Sequence, residues 1–149
     1  MSVGVRTGYL SDNINITSVS GHSTAAASNV TGTGVDMADY TGVLFVAKFG
    51  TAASDNTLKA QSSTDDGSAD AYADLEGTLV GVASSDEVVF LDITNPRERY
   101  VRPIGMRGTS STLEGIWAFR YGKRSLPEDN TTAGTIHGEQ HNSPAEGTA

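Results

Sequence analysis

Cysteine is absent from the 149 residues of this chain, so disulfide bonds and cysteine-ligated metal sites are excluded. Long apolar runs are absent too, and no stretch approaches the roughly 20 residues that a membrane-spanning helix needs. The first residues, from Met1 to Arg6, lack the apolar segment of a secretory signal peptide. These absences predict a soluble protein that is made in the cytoplasm and has no membrane partner.

Apolar residues are also scarce. The hydrophobic fraction is 37%, whereas apolar residues, with glycine counted, make up roughly 45–50% of an average globular domain. A chain of this length suits a single domain, so part of it is expected to lie outside any core. The 17 glycines, together with many serine and threonine residues, favour turns and short strands over helices.

No pattern of catalytic or metal-binding residues emerges. A nucleophile elbow of the Gly-x-Ser-x-Gly type is missing. His137 and His141 have helical spacing, but they lie in a Gly- and Pro-bearing stretch where a helix is not expected. The acidic run at Asp65, Asp66 and Asp70 lacks the alternating carboxylates of a calcium loop, and a turn explains it better. The sequence therefore predicts a protein that is not an enzyme and has no catalytic residues, metal ligands or cofactors.

Charge is unevenly distributed along the chain. The net charge is −8, which argues against nucleic acid as the main partner. Residues 36–92 contain eleven acidic and two basic residues, whereas residues 97–124 contain seven basic and two acidic residues. This polarity has two interpretations. It guides the docking of one protein on another, or it reflects adjacent strands that pair opposite charges within one subunit.

Short strands separated by turns are predicted through residues 14–121. Residues 25–28 are expected to form a loop, and residues 72–77 a helical turn or a short bridge. No apolar period of 3.6 residues persists for twelve residues, so we predict an all-β protein, a small antiparallel β-sandwich or jelly-roll-like domain. Apolar residues that recur at every second position place strands over residues 14–20, 42–49, 57–63, 87–93, 99–106 and 113–121.

Two of these strands carry the strongest apolar signal. Residues 42–49 are apolar on both faces, which marks a central strand or one whose second face meets a partner subunit. Strict alternation in residues 113–121 groups four residues on one face: Leu113, Trp117, Phe119 and Tyr121. Because Trp117 is the only tryptophan, we expect it to anchor the core.

Both ends of the chain are polar. Residues 1–13 are interpreted as an N-terminal arm, residues 14–125 as the β-sandwich domain and residues 126–149 as an extended C-terminal tail. The composition of the tail is typical of a disordered segment or of an arm that a partner orders. Fully extended at about 3.3 Å per residue, the tail would span roughly 80 Å, enough to cross a neighbouring subunit.

One cation lies in an unusual place in the strand predicted at 99–106. Arg102 shares a face with Tyr100, Ile104 and Met106. Its side chain either extends past the edge of the sheet or pairs with an acidic residue across a subunit boundary. Arginine and tyrosine are the residue types that anchor interfaces. The residues that we predict to contact a partner are Tyr100, Arg102, Arg97, Arg99, Arg107, Leu126 and Ile136.

Three stretches occur in a fixed order: TGTGVDMADYTGVLFVAKFGT at 31–51, KAQSSTDDGSADAYADLEG at 59–77 and FLDITNPRERYVRPIGM at 90–106. In that order and spacing they resemble the cement, or decoration, proteins of tailed-phage capsids. The first is similar to that family's Gly-rich entry and central strand, the second to its Asp-Gly and Asp-Leu steps, and the third to its Arg/Lys-Tyr-Val-Arg strand. Each motif is weak alone, so the order carries the resemblance.

The resemblance implies a subunit that trimerises and sits on the capsid exterior at three-fold and quasi-three-fold positions, with the major capsid protein as its partner. The long polar tail after Tyr121 departs from the simplest pattern of the family. The alternative is a carbohydrate- or receptor-binding β-sandwich module of a phage tail, which would display exposed aromatic residues. Outside the predicted strands, the candidates for such a platform are Tyr9, Tyr40 and Tyr72.

Overall fold

The computed structural model describes residues 8–53 and 55–149, so most of the predicted N-terminal arm lies outside the described residues. A 3₁₀ turn at Leu10–Asp12 precedes the strands. The strands are β1 (Ile14–Ser20), β2 (Ser23–Ala26), β3 (Val30–Thr31), β4 (Val35–Asp36), β5 (Gly42–Phe49), β6 (Asn56–Ser63), β7 (Ala73–Asp74), β8 (Val80–Val82), β9 (Val88–Thr94), β10 (Tyr100–Met106) and β11 (Ser111–Tyr121). No helix among the described residues has the length and apolar character to cross a membrane.

The strands form two antiparallel sheets that pack as a sandwich. Sheet A has the order β1-β11-β5-β9, and β2 also pairs with β11. Sheet B has the order β3-β10-β6-β7, with β4 beside β10 and β8 beside β6. The chain crosses between the sheets six times, after β2, β4, β5, β8, β9 and β10, so the strands of both layers alternate along the sequence. The predicted all-β sandwich is confirmed.

The core lies between the two sheets and follows the alternation of the sequence. On β5, Val43, Phe45, Ala47 and Phe49 are fully buried, and each faces sheet B. The predicted inward residues of β6, Leu58 and Ala60, are fully buried as well. Removing such side chains from water is the main stabilising contribution of the sandwich, at about 25 cal/mol per Å² of apolar surface.

The predicted strands are confirmed to within two residues at each end. The loop expected at residues 25–28 is wrong in its first half, because Ser23–Ala26 form β2 beside β11. Its small residues carry no apolar alternation, so only the pairing with β11 defines this strand. Of the two alternatives for residues 72–77, the short bridge is correct, since β7 pairs with Gln61 and Ser62 of β6.

Trp117 does not lie in the core, so the prediction for it is wrong. The register of β11 against β5 shifts between Leu113 and Gly115. This β-bulge places one extra residue, Glu114, in β11 and exchanges the two faces of the strand beyond it. Leu113 therefore points into the core together with Ile116 and Ala118, all fully buried, while Trp117 points outward, opposite Val46.

The acidic turn after β6 is held by the carboxylate of Asp65. Its oxygens accept backbone hydrogen bonds from Ser68 (3.0 Å), Ala69 (2.7 Å) and Asp70 (3.1 Å). These bonds favour the ionised form and lower the pKa of Asp65. The next step, Asp66-Gly67, has φ values of 59° and 80°, the left-handed conformation that Gly and Asp tolerate best.

We expect the stabilising contribution of Asp65 to disappear in acid. The pKa of Asp65 in the folded state lies below its unfolded value of about 3.9. Its contribution is therefore present above about pH 4 and is lost as the pH falls through the folded pKa. The urea midpoint of Asp65→Asn is expected to lie below that of the wild type at pH 7, and the gap should close below pH 4. Asp39→Asn is the control, since Asp39 is exposed and accepts no hydrogen bond among the described residues. A gap for Asp65→Asn that is equal at pH 7 and pH 3 would contradict this role.

Candidate protein-binding surfaces

The outer face of sheet A is apolar across all four of its main strands. Strand register brings its members to one side of the sheet. They are Ile14 and Ile16 of β1, Trp117, Phe119 and Tyr121 of β11, Leu44 and Val46 of β5, and Val88 and Phe90 of β9. We call this set the apolar outer face. An antiparallel sheet in a sandwich normally turns polar residues outward, so this face indicates a binding surface.

Two aromatic side chains of β11 lie against glycines of the same face. The ring of Trp117 covers Gly115, where a Cβ atom would be 3.1 Å from the indole. The ring of Tyr121 covers Gly42, where a Cβ atom would be 2.4 Å from the ring. The Tyr121 hydroxyl also donates a hydrogen bond of 2.5 Å to Asp92 Oδ1. These contacts leave both rings half-buried and keep the centre of the face smooth.

A more exposed apolar cluster lies beside the apolar outer face, where β9 of sheet A and β8 of sheet B are neighbours at the border of the two sheets. Four large apolar side chains are open to solvent there: Leu79 at 59%, Val80 at 37%, Val88 at 60% and Phe90 at 63%. We call these residues the β8–β9 edge. In the described part of the chain, Leu10 is the one other large apolar residue with such exposure. Clusters of this kind on a monomer mark interaction sites more often than scattered apolar residues do.

Opposite charges stand at the two ends of β9. Asp86 and Glu87 precede the strand, whereas the exposed Arg97 follows it and the exposed Arg124 belongs to the segment after β11. None of the four has an ion-pair partner among the described residues. Two cavities of about 500 Å³ and 390 Å³ open on the basic side, one lined by Arg124 and the other by Arg97. Acidic residues thus precede β9, and exposed basic residues lie on the side of its other end, where Asp92 and Glu98 are also present.

The outer face of sheet B is polar, and its charges are satisfied within the subunit. Arg102 Nε donates to Gln61 Oε1 at 2.9 Å, and its guanidinium lies 4.0 Å from the centre of the Tyr72 ring. Lys59 Nζ is 2.8 Å from Asp74 Oδ2, and this hydrogen bond lowers the pKa of Asp74. Arg102 thus neither passes the sheet edge nor lacks a partner, and for this face the pairing within one subunit explains the charges.

Two further predicted contact residues lie beside this face. Arg99 forms a bidentate pair with Asp36, with distances of 2.9 Å and 2.7 Å, and this hydrogen bonding lowers the pKa of Asp36. The same guanidinium lies 5.3 Å from the centre of the Tyr100 ring. Both partners of the ion pair are more than one third exposed, so Arg99 remains accessible.

Arg107 differs from the other predicted contact residues because it is only 9% exposed. Its guanidinium donates to the carbonyl oxygens of Ser28, Thr24 and Ser111, and to the Ser28 hydroxyl. These bonds join β2 and the loop after it to the start of β11. We therefore assign Arg107 a structural role inside the subunit.

The C-terminal tail folds back over the 3₁₀ turn and β1. The Glu128 side chain accepts a hydrogen bond of 2.5 Å from the Tyr40 hydroxyl and lies 3.5 Å from Lys123 Nζ. Burial and this carboxylate raise the pKa of Tyr40. Further along, Gln140 donates to Ser11 Oγ at 2.9 Å.

Leu126 and Ile136 are half-buried. A cavity of about 520 Å³ separates the tail from β1, and its lining includes Ile136 and Ile16.

Asn130 closes the free edge of β1. Ile16 N–H donates to Asn130 Oδ1 at 2.7 Å, and Asn130 Nδ2 donates to the carbonyl oxygens of Ile14 and Ser11 at 3.0 Å and 2.9 Å. The side-chain amide thus pairs with backbone groups that another strand would otherwise use. A tail with no strand of its own still protects one edge of sheet A.

We expect Asn130→Ala to open the edge of β1 without unfolding the domain. The amide hydrogen of Ile16 should exchange up to about tenfold faster, because such a bond contributes about 0.5–1.5 kcal/mol and about 1.4 kcal/mol corresponds to a tenfold change. Hydrogen exchange followed by NMR measures this directly. Asn142→Ala is the matched control, since Asn142 is exposed and makes no contact among the described residues. Equal protection of Ile16 in both variants would contradict the role of Asn130.

Comparisons with known proteins are sparse. No family model and no curated protein matches the chain. Among solved structures, one similar chain is the SPBc2 prophage-derived protein YomS, with 11% sequence identity and a TM-score of 0.44 over 78% of this chain and 98% of that chain. A similarity this low supports no conclusion about function. In the described residues, no group of three or more His, Asp or Glu side chains is arranged to hold a metal ion.

Sequence reasoning missed the two features that define the candidate surface. The β8–β9 edge was detectable in part, because residues 88–91 are apolar at every position, as residues 42–49 nearly are. A strand that is apolar on both faces and lies at the edge of a sheet must expose one of them. The outward aromatic residues of β11 were not detectable, because a β-bulge has no clear signature in a single sequence. The aromatic candidates Tyr40 and Tyr72 are instead half-buried beneath cations, with Arg120 and Arg102 over their rings at 4.4 Å and 4.0 Å.

Proposed function

We propose that this chain is a non-enzymatic structural protein that binds other protein surfaces, and that it serves as a cement protein of a tailed-phage capsid. In this proposal it binds the major capsid protein on the outside of the shell, as a homotrimer at three-fold and quasi-three-fold positions. It is made in the host cytoplasm and binds neither nucleic acid nor membrane. The observation that carries the proposal is the exposed β8–β9 edge beside the apolar outer face.

Several features support a protein partner. Interfaces between proteins combine an apolar centre enriched in aromatic residues with a polar rim. The apolar outer face has that centre, and Asp92 and Lys48 lie at its margin. The resemblance of residues 31–51, 59–77 and 90–106 to capsid cement proteins supports the capsid as the place where the assembled protein acts.

The proposed mechanism is additive binding. A stable contact needs roughly 1,000 Å² or more of buried surface, which one small subunit supplies with difficulty. Three linked subunits multiply the contacts, and linkage of this kind raises avidity about 10²–10⁴-fold. Bridging neighbouring capsid proteins in this way would oppose the outward pressure of packaged DNA.

Co-sedimentation tests the proposal. The purified protein is added to tailed-phage shells whose own copy of this gene is deleted, and bound protein is measured after pelleting. We expect saturable binding at a fixed ratio to the capsid protein, and shells that survive heating or chelation better with the protein than without it. Absence of binding to mature shells would end the cement proposal.

The tail gives a second readout of the same proposal. Deleting residues 126–149 is expected to weaken retention on the shell, because the tail, once released from β1 of its own subunit, is long enough to reach a neighbouring subunit. The domain itself should remain folded, since the core residues lie outside the tail. Circular dichroism checks folding, and a variant with Asn142→Ala controls for changes in the tail that remove no contact. Unchanged occupancy after the deletion would remove the tail from the mechanism.

A carbohydrate- or receptor-binding module of a phage tail is the second candidate. The observation in its favour is the row of outward aromatic residues on β11, Trp117, Phe119 and Tyr121. Sugar sites need polar groups between the stacking rings, whereas this row is flanked by Leu44, Val46 and other aliphatic side chains. A glycan-array signal that Trp117→Ala abolishes would favour this candidate over the capsid.

A further inference from the structure

The β8–β9 edge combines three properties that point to the identity of its partner. It exposes apolar side chains, it lies at the border of the sandwich, and β9 is the terminal strand of sheet A. The opposite terminal strand, β1, is already closed by Asn130. Among the described residues, the far edge of β9 pairs with no strand of sheet A. The open edge of this sheet is therefore the one at β9.

Each subunit carries acidic residues at one end of this edge and a basic residue at the other. Asp86 and Glu87 lie at the beginning of β9, and Arg97 lies just beyond its end. A seven-residue strand at about 3.3 Å per residue keeps the two ends roughly 20 Å apart, too far for them to pair within the subunit. Each end therefore fits the opposite end of another copy.

We propose that a second copy of this chain covers the β8–β9 edge, in a head-to-tail ring where the acidic end of β9 in one subunit meets the basic end in the next. Phe90 and Val88 of each subunit pack toward the centre of the ring. The number of copies, three, rests on the proposed function, but the contact surface does not. A heterologous contact that closes on itself gives a ring of this type.

Self-association explains the composition of the surface better than a transient partner does. Permanent homo-oligomer interfaces are more apolar than those of complexes that form and dissociate, and resemble a core divided in two. A protein that travels free before it docks would otherwise leave Leu79, Val80, Val88 and Phe90 in contact with water. The polar outer face of sheet B has no such need, which leaves it available for a later partner.

Light scattering during size-exclusion chromatography tests the surface. The wild type is expected to elute at three times the 15.5 kDa of one chain, and Phe90→Glu at the mass of one chain. Leu10→Glu is the matched control, because Leu10 has a similar exposure of 57% and lies outside the edge. It should keep the wild-type mass, and circular dichroism should show all three proteins folded. A monomeric wild type, or a Phe90→Glu variant that keeps the wild-type mass, would overturn the proposal.

A charge exchange tests the arrangement. Arg97→Glu places a third acidic group beside Asp86 and Glu87 at each contact, and Glu87→Lys places a second basic group beside Arg97, so each single variant should shift the mass toward that of one chain. The double variant Arg97→Glu/Glu87→Lys restores opposite charges and should recover the wild-type mass. If it dissociates as far as the single variants, the head-to-tail arrangement is wrong.

The same variants separate this inference from the proposed function. If the wild type is a trimer that fails to bind shells, the capsid proposal fails and the contact surface stands. If Phe90→Glu binds shells poorly but keeps the wild-type mass, the edge contacts the capsid and the self-association proposal is overturned.

Discussion

Phe45→Ala is expected to lower the free energy of unfolding by about 3–5 kcal/mol, the cost of emptying an aromatic site in a closed core. Phe45 is fully buried on β5 and stands opposite Ala118 of β11 and Leu91 of β9. Sheet B closes the space above it, so the cavity left by the ring has no route for collapse or hydration. Urea unfolding at one protein concentration measures the effect.

Phe119→Ala is the matched control for Phe45→Ala. It removes the same ring from the opposite face of the same sheet. Phe119 on β11 pairs with Leu44, the residue before Phe45 on β5. Because Phe119 is half-buried on the outer face, the expected cost is about 1 kcal/mol, from partial loss of apolar burial. A larger cost for Phe119→Ala than for Phe45→Ala would mean that the faces of sheet A are assigned the wrong way round.

This comparison bears directly on what the sequence alone could predict. Periodicity located the strands, because in β6 the alternation that buries Leu58 and Ala60 is strict. The same reasoning failed for Trp117, where a single extra residue reversed the parity of β11. The position of a strand is encoded by many residues together. Which side chains face the core beyond a β-bulge, in contrast, depends on the single inserted residue. The predicted fold class is therefore correct, although Trp117 was assigned to the wrong face of sheet A.

The predicted contact residues lie in different environments, some buried inside the subunit and others on its surface, for a related physical reason. Residue type suggested Arg107 and Arg102 equally, yet one is inside the subunit and the other on the polar face. What decides between them is the set of free carbonyl oxygens around each side chain, and β2 with the loop after it supplies those of Thr24 and Ser28 to Arg107 only after the fold has formed. Arg97 is exposed and forms no ion pair among the described residues. Sequence can nominate a cation for an interface, but its neighbours determine whether it is free.

The two outer faces of the sandwich suggest a division of labour within the proposed function. The polar face of sheet B satisfies its charges internally, through Arg102, Gln61 and Asp74, and such a face stays hydrated until it docks. The apolar outer face of sheet A gains most by being covered permanently. A cement protein requires both kinds of surface, one for its own assembly and one for the shell.

Arg107→Met is expected to destabilise the subunit by about 3–5 kcal/mol, although methionine fills much of the same volume. The guanidinium supplies four hydrogen bonds, which go to Thr24 of β2, to Ser28 in the loop after it and to Ser111. Hydrogen bonds from a charged donor contribute about 1.5–3 kcal/mol each, and every acceptor left buried without a donor adds a penalty of about 1–3 kcal/mol. The estimate stays below the sum of these values because some of the freed carbonyl oxygens will reach water.

Two further variants make this prediction specific. Arg107→Lys keeps the charge but offers a compact ammonium in place of a planar fork, so it should recover less than half of the loss. Arg102→Met removes the same group from the polar face of sheet B, where Arg102 is only half-buried, and should cost about 1 kcal/mol or less. The free energy of unfolding in urea ranks the three. If Arg107→Met proves as mild as Arg102→Met, the side chain does not hold the loop, and its place among the predicted contact residues is restored.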